Sequence, residues 1–388
     1  MRLFSRGQKV VYNDRPRRSS LWRRLMWAGV FPVALTIALY LFSARDPHSA
    51  EFYSRSIFPI FTWPIRQFTG LFSFSLTQVL LFIAAPLLLA ALIWFVWRLI
   101  VRPGRWRAVL TAVVNLVIIA AWAALLFMLT HGINYHRHTL SAIMNLHTQP
   151  YGTEELVATA DWLVGELNEV AALVPRDEEG IFRPSDSCEA TLDRAGAIFV
   201  NLAENYPELG ISAVGRPKSV WLSHYWSYTG ITGMYFPYLV EPNLNIDAPE
   251  SGLLFSTLHE LAHTAGYARE DEANFLAFLA GHCSDDNEYK YSAYTQMFSL
   301  VGSQLNARDT AAYKEVAGKL HFGVWVDYRN QNIYWDQFKG KIQEISNKVN
   351  DTYLKVQKQE KGVQSYGEAV DLLIAWHLSE AATSGSGK

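Results

Sequence analysis

Residues 251–281 read SGLLFSTLHELAHTAGYAREDEANFLAFLAG, and this stretch decides what the chain can be. Leu253, Leu254, Leu258 and Leu261 recur at helical spacing, so the segment is an amphipathic helix that Thr264 and Gly266 bring to a stop. His259 and His263 are four apart and share one face, a turn from each other. Two imidazoles so placed can each offer a nitrogen at about 2.0–2.1 Å to one zinc ion. Glu260 stands beside the first of them, positioned to act as general base on a water the metal activates. A hydrolytic zinc site needs a third protein ligand and one open position. In the spacing HExxHxxGxxH that ligand would be a histidine, but Arg269 occupies the place and cannot bind zinc. A carboxylate from the acid-rich start of the next helix is the better candidate, and Glu270, Asp271 and Glu272 are all close. Glu270 and Asn274 share a face, while Glu272 is turned by about 200° from Glu270.

Working outward, the composition is split. Half of the 388 residues are hydrophobic and 18% are charged, against roughly 25% in an average soluble protein. The apolar residues crowd the first third. Leu25–Ala44, Leu76–Trp97 and Ala108–Thr130 each approach or exceed the roughly 20 apolar residues that cross a bilayer as a helix, with Pro86 expected to kink the second. Trp22, Trp27, Trp94, Trp97 and Trp106 lie near the span ends, where interfacial aromatics sit. Eight basic residues and one acid precede the first span, and Arg98, Arg102, Arg105 and Arg107 separate the second from the third with no acid among them. This asymmetry places the N-terminus (1–24) in the cytoplasm, the first span as an uncleaved anchor, and everything after about His131 outside a multi-pass cytoplasmic membrane. The Arg-rich start also suits anionic lipid. A net charge of −2 gives no footing for nucleic-acid binding.

The membrane region, 25–131, is followed by a mostly helical domain, 134–378, and a flexible tail, 379–388. Helices are expected over Glu154–Leu173, Cys188–Asn205, Leu253–Ala265, Asp271–His282, Tyr291–Leu305 and Tyr334–Gln359, with Gly362–Leu378 closing the domain. Lys218–Leu222 reads as a short strand and Gly233–Ile246 as a proline-broken strand pair at a sheet edge, able to hold an extended peptide. Tyr289, Tyr291, Tyr294 and Tyr366 read as core tyrosines before oxyanion donors, His224 as a structural histidine, and His136 and His138 as interfacial. Cys188 and Cys283 are equally compatible with a disulfide or two thiols.

The run Glu270–Ala277, EDEANFLA, resembles the third-ligand helix of gluzincin-type peptidases, in which a Glu binds the metal and an Asp or Asn four residues on orients a metal histidine. It is similar to corresponding segments of ImmA/IrrE-type peptidases and of membrane-bound CAAX-processing peptidases. The resemblance implies Glu270 as ligand and Asn274 as its supporting partner; the short gap after His263 and the Asn in place of Asp keep Glu272 as the alternative, and helical spacing puts apolar Phe275 and Phe278 beside this face to dry the site. More widely, three spans followed in order by PKSVWLS, GITGMYFPYLVEPNLN, HELAHTAGYAREDEANFLA, YKYSAY and GVQSYGEAVDLL resemble an uncharacterised bacterial family of membrane-anchored zinc metallopeptidases. That resemblance implies a mainly α fold with a small β-sheet and a Zn²⁺ cofactor, and it supplies no substrate; with the HELAH motif the expectation is hydrolysis of an unknown extracytoplasmic protein or peptide. The alternative is a non-catalytic zinc-bearing sensor or scaffold, against which the intact Glu260 argues. Intramembrane proteolysis is disfavoured because HELAH lies far from every span.

Overall fold

The computed structural model describes residues 23–356 and 368–385. The basic residues before 23, Trp22, Tyr366 and the last three residues of the chain lie outside the described residues. The fold is mainly helical. Three helices are long and apolar enough to cross a membrane: α1 (Leu25–Arg45), and, after two shorter helices, α2 (Pro47–Phe52) and α3 (Phe58–Gly70), the second and third, α4 (Leu76–Val101) and α5 (Arg105–Thr130). Pro86 sits inside α4 without ending it. Side chains such as Leu88 (70% exposed) and Ile119 (64%) stand outward along α4 and α5, as suits a lipid solvent.

The remainder is α6 (Thr153–Ala171), α7 (Cys188–Asn205), β1 (Lys218–Ser219), α8 (Ser223–Ser227), β2 (Gly233–Phe236), β3 (Glu241–Leu244), α9 (Glu250–Thr264), α10 (Glu270–His282), α11 (Asn287–Arg308), α12 (Thr310–Ala317), α13 (Phe322–Asp336), α14 (Lys341–Val356) and α15 (Glu368–Gly385). α9, α10 and α11 pack on one another, and α11 also on α6, around a core that includes Leu258, Leu261, Phe275, Phe278 and Met297, each fully buried. Tyr289, Tyr291 and Tyr294 belong to this core; their hydroxyls bond Thr191 O, Asp327 and Glu166 respectively.

Several boundaries differ from the pattern reading. The expected helix over 334–359 is two helices, because Phe338 turns inward against His224 and Tyr228, and Gly340 follows. The tail expected to be flexible from 379 continues α15 through Gly385, its Glu-Ala-Ala run being a good helix former. The strand expected over 218–222 stops at Ser219, since the N–H groups of Trp221 and Leu222 turn to Gln78 Oε1. The sheet order is β1-β3-β2, so Pro242 lies on the central strand and not at an edge. It is tolerated because β1 reaches only Asn243 and Leu244, so no strand partner stands beside Pro242 on that side. Val240, fully buried between β2 and β3, takes φ 50°, a strained conformation for a β-branched residue.

The segment between the first two membrane helices is folded onto the domain. Glu241 of β3, fully buried, accepts the N–H groups of Leu76 (3.1 Å) and Thr77 (2.8 Å) and the Thr77 hydroxyl (2.6 Å), capping α4 with a carboxylate where the helix dipole favours one. Ser75 donates to Asn243 Oδ1, and the buried Lys218 ammonium donates to the carbonyls of Thr69 and Phe72. Arg137 pairs with Glu51 at 2.9 Å and donates to Gly266 O. The sheet and the metal-motif helix are thereby joined to the span ends at Leu76 and Thr130.

Candidate metal centre

α9 closes in a Schellman turn. Gly266, at φ +91°, donates its N–H to His263 O (3.0 Å), and Tyr267 donates to Ala262 O (3.1 Å). The reversal is tight enough that α10 begins at Glu270 facing back across α9, which explains how so short a gap after His263 serves. His259 Nε2 and His263 Nε2 are 3.1 Å apart, and Glu270 Oε2 and Oε1 lie 3.2 and 3.7 Å from them. Ligands bound at about 2.05 Å around a tetrahedral ion would be separated by about 3.3 Å.

The other ring nitrogens test whether the group fits a cation. His263 Nδ1 lies 2.7 Å from the Tyr267 carbonyl oxygen, which can only accept, so Nδ1 carries the hydrogen and Nε2 presents a lone pair. His259 Nδ1 stands in the same relation to Asn274 Oδ1 at 2.9 Å. Two bare nitrogens and a carboxylate therefore converge with only lone pairs between them, an arrangement that calls for a cation. Without one, a proton takes the place: burial pulls His259 down, but the hydrogen bond and charge of Glu270 outweigh it and raise the ring to about 8. Burial would raise Glu270, yet its bond to His259 and the charge of His263 hold it at about 2, while burial takes His263 down to about 4.

Glu260 is nine-tenths buried or more, its Oε2 has no hydrogen-bond partner among the described residues, and burial with the nearby Glu270 charge pushes it up to about 8. Gly233 makes room for it: a Cβ there would lie 2.6 Å from Glu260 Oε1. Glu272, by contrast, is turned away; its carboxylate accepts from Leu140 N–H at 2.8 Å and pairs with Arg269 at 2.6 Å. Phe275 and Phe278 do not dry the site. They point into the core against Trp376, and the apolar lining comes from Phe127, Tyr235, Phe236 and Phe255 instead.

The site opens into a cleft of about 810 Å³ walled by β2, α9, α14 and the last turn of α5. Sequence reasoning missed His131, Gly233 and Tyr235, which line it. His131, the first residue past α5, is buried with its ring 5.9 Å from that of His263 and its Nε2 3.2 Å from the Tyr135 hydroxyl, which meets Tyr353 Oη at 3.3 Å. Burial and the neighbouring His263 bring His131 down to about 3. A titratable side chain at the last position of an apolar run was the available signal. His224 instead bonds Asp247 in the open, His138 meets His48, and His136 packs on Tyr40, all away from the cleft. Cys188 and Cys283 are free thiols.

A family described as "Protein of unknown function (DUF3810)" matches residues 53–374. No curated protein and no solved structure matches the chain.

Proposed function

This chain belongs to the DUF3810 family, and for it we propose a membrane-anchored zinc metallopeptidase that hydrolyses a peptide bond of an extracytoplasmic protein or peptide. The observation that carries the reading is the convergence of His259, His263 and Glu270 beside a buried Glu260 oxygen that lacks a partner. Two histidines and a carboxylate with an open fourth position form a donor set of catalytic zinc. Bound there, the ion would supply Lewis-acid polarisation of a scissile carbonyl and acidify a water. Asn274 and Tyr267 fix the two imidazoles so that each Nε2 would face the ion. Glu260, raised towards neutrality by burial, is suited to take a proton from the attacking water and return it to the leaving amine. β2, the sheet edge along the cleft, offers an extended substrate a strand to pair with.

The basic residues ahead of α1 and between α4 and α5 support a cytoplasmic N-terminus and an extracytoplasmic catalytic domain. The test is metal analysis and peptide cleavage with the purified full-length chain. One zinc per wild-type chain, none in His259→Ala, and a Glu260→Gln variant that keeps zinc but cleaves slower by about 10²–10⁴-fold would uphold the assignment. A wild type that binds no zinc would end it.

A further inference from the structure

α14 crosses the mouth of the cleft. Ser346, Asn347, Asn350 and Tyr353 line it, and Gln343 packs against Gly230, where an added Cβ would meet its side chain at 2.9 Å. At the other end Tyr353 reaches the Tyr135 hydroxyl, five residues beyond the end of α5. Yet Ile342, Ile345 and Val349 are 57%, 62% and 64% exposed, an apolar stripe with no cover among the described residues. At about 100° per residue, turning from cleft-facing Asn350 to Tyr353 rotates about 60° toward the end of α5. A further turn of about 20–80° in the same sense reaches Ile342, Val349 and Ile345, and beyond them come Lys341, Lys348 and Lys355. The order around the helix is polar cleft face, tyrosine, apolar stripe, lysine row. A helix in the headgroup layer has this pattern, with its lysines snorkelling to anionic lipid.

The metal centre is at the same level. His131 follows directly on the apolar run of α5, and its ring contacts that of His263. An extended chain rises about 3.3 Å per residue, so a peptide that reaches the site from the bilayer needs only a few residues outside it.

We propose that α14 docks on the bilayer that holds α1, α4 and α5, with Ile342, Ile345 and Val349 at the headgroup boundary, and that the cleft consequently takes polypeptide segments just emerging from that membrane. The substrate half rests on the peptidase reading; the docking half rests on helix geometry alone.

The full-length chain, with Cys188→Ser and Cys283→Ala, is placed in vesicles of phosphatidylethanolamine and phosphatidylglycerol. Nitroxides are attached at Ile345→Cys or Val349→Cys, and on the far face at Glu344→Cys or Asp351→Cys. The stripe positions should collide chiefly with oxygen and the far-face positions with a water-soluble nickel chelate. Nickel access at 345 and 349 equal to that at 344 overturns docking. In the second arm a peptide tethered to the vesicle by an apolar helix is compared with the same peptide free in solution. Tethered peptide should be cut faster, on the order of 10²-fold, from its raised local concentration. Ile345→Asp/Val349→Asp should lose that ratio while still cutting the free peptide. Equal cleavage of both by wild type overturns the substrate half. Failure to cut either, with zinc bound and the nitroxides buried, removes the peptidase reading and leaves docking standing.

Discussion

Gly233 is the most exacting test of how the site holds its base. Placed on β2, a methyl group would lie 2.6 Å from Glu260 Oε1, 2.7 Å from its Cγ and 3.0 Å from its Cδ, and it approaches no other side chain as closely. Ordinary contact begins near 3.4 Å, so Gly233→Ala must push the Glu260 side chain away by roughly 1 Å. Misplacement of a reacting group by about 1 Å can cost 10²-fold in rate, or about 2.7 kcal/mol of transition-state stabilisation. Its three nearest atoms all belong to Glu260 and none to His259, His263 or Glu270, so on the zinc reading the metal content should stay at one per chain. The assay is kcat/KM on a peptide substrate with metal analysis of the same sample. Gly165→Ala on α6 is the control, for open space surrounds it; activity should hold and stability rise by up to about 1 kcal/mol. Because both changes act through one carboxylate, Gly233→Ala/Glu260→Gln should be no slower than Glu260→Gln alone. A Gly233→Ala protein with wild-type kcat/KM, or a double variant slower than Glu260→Gln, would refute the reasoning.

Further outcomes follow from the same geometry. Glu270→Ala should abolish zinc binding, whereas Glu272→Ala should keep zinc but lower stability by about 3 kcal/mol in a denaturant titration, since it strands Arg269 and the Leu140 N–H. Asn274→Ala should weaken zinc affinity by about 10–100-fold, read by competition with a chelator. His259 is raised from 6.5 to about 8, so the metal-free ring holds its proton up to that pH and zinc must displace it; affinity should tighten about tenfold per pH unit to about pH 8 and level above, with proton release at pH 7 in calorimetry run in two buffers. A phosphatase fused after Lys388 should be active in a bacterial host, and an inactive fusion would reverse the orientation.

The cluster of His259, His263 and Glu270 was legible because its parts are local. His259 and His263 one turn apart, and Glu270 and Asn274 one turn apart, are fixed by helical spacing once each helix is granted. The three apolar runs were legible for the same reason, and their ends moved by only a few residues. What failed depends on the third dimension. Residues 272–281 are all buried, so α10 offers no polar stripe from which to decide whether Phe275 and Phe278 face the core or the metal. His131, Tyr235 and Gly233 reach the site from elements more than 20 residues away in sequence; the end of an apolar run marks His131, and nothing in the neighbourhoods of the other two announces the destination. Pro242 misled because the rule against proline in a central strand assumes a ladder on both sides, and β1 is too short to supply one.

The cap that Glu241 places on α4 bears on how this protein can be handled. Cut the chain at 134 to make a soluble head, and Glu241 loses all three of its donors, Lys218 both of its carbonyl acceptors, and Arg137 its carboxylate. Each would then lose the partners that hold it, and the face that residues 51–77 cover would be laid open to water. The matched family region starts at 53 and runs through α4 and α5 without a break, in keeping with one indivisible unit. Anchor and head are therefore not modules in series. Work in the test tube has to begin from detergent or nanodisc, and a severed head that stays in solution would be a different molecule from the one the cell makes.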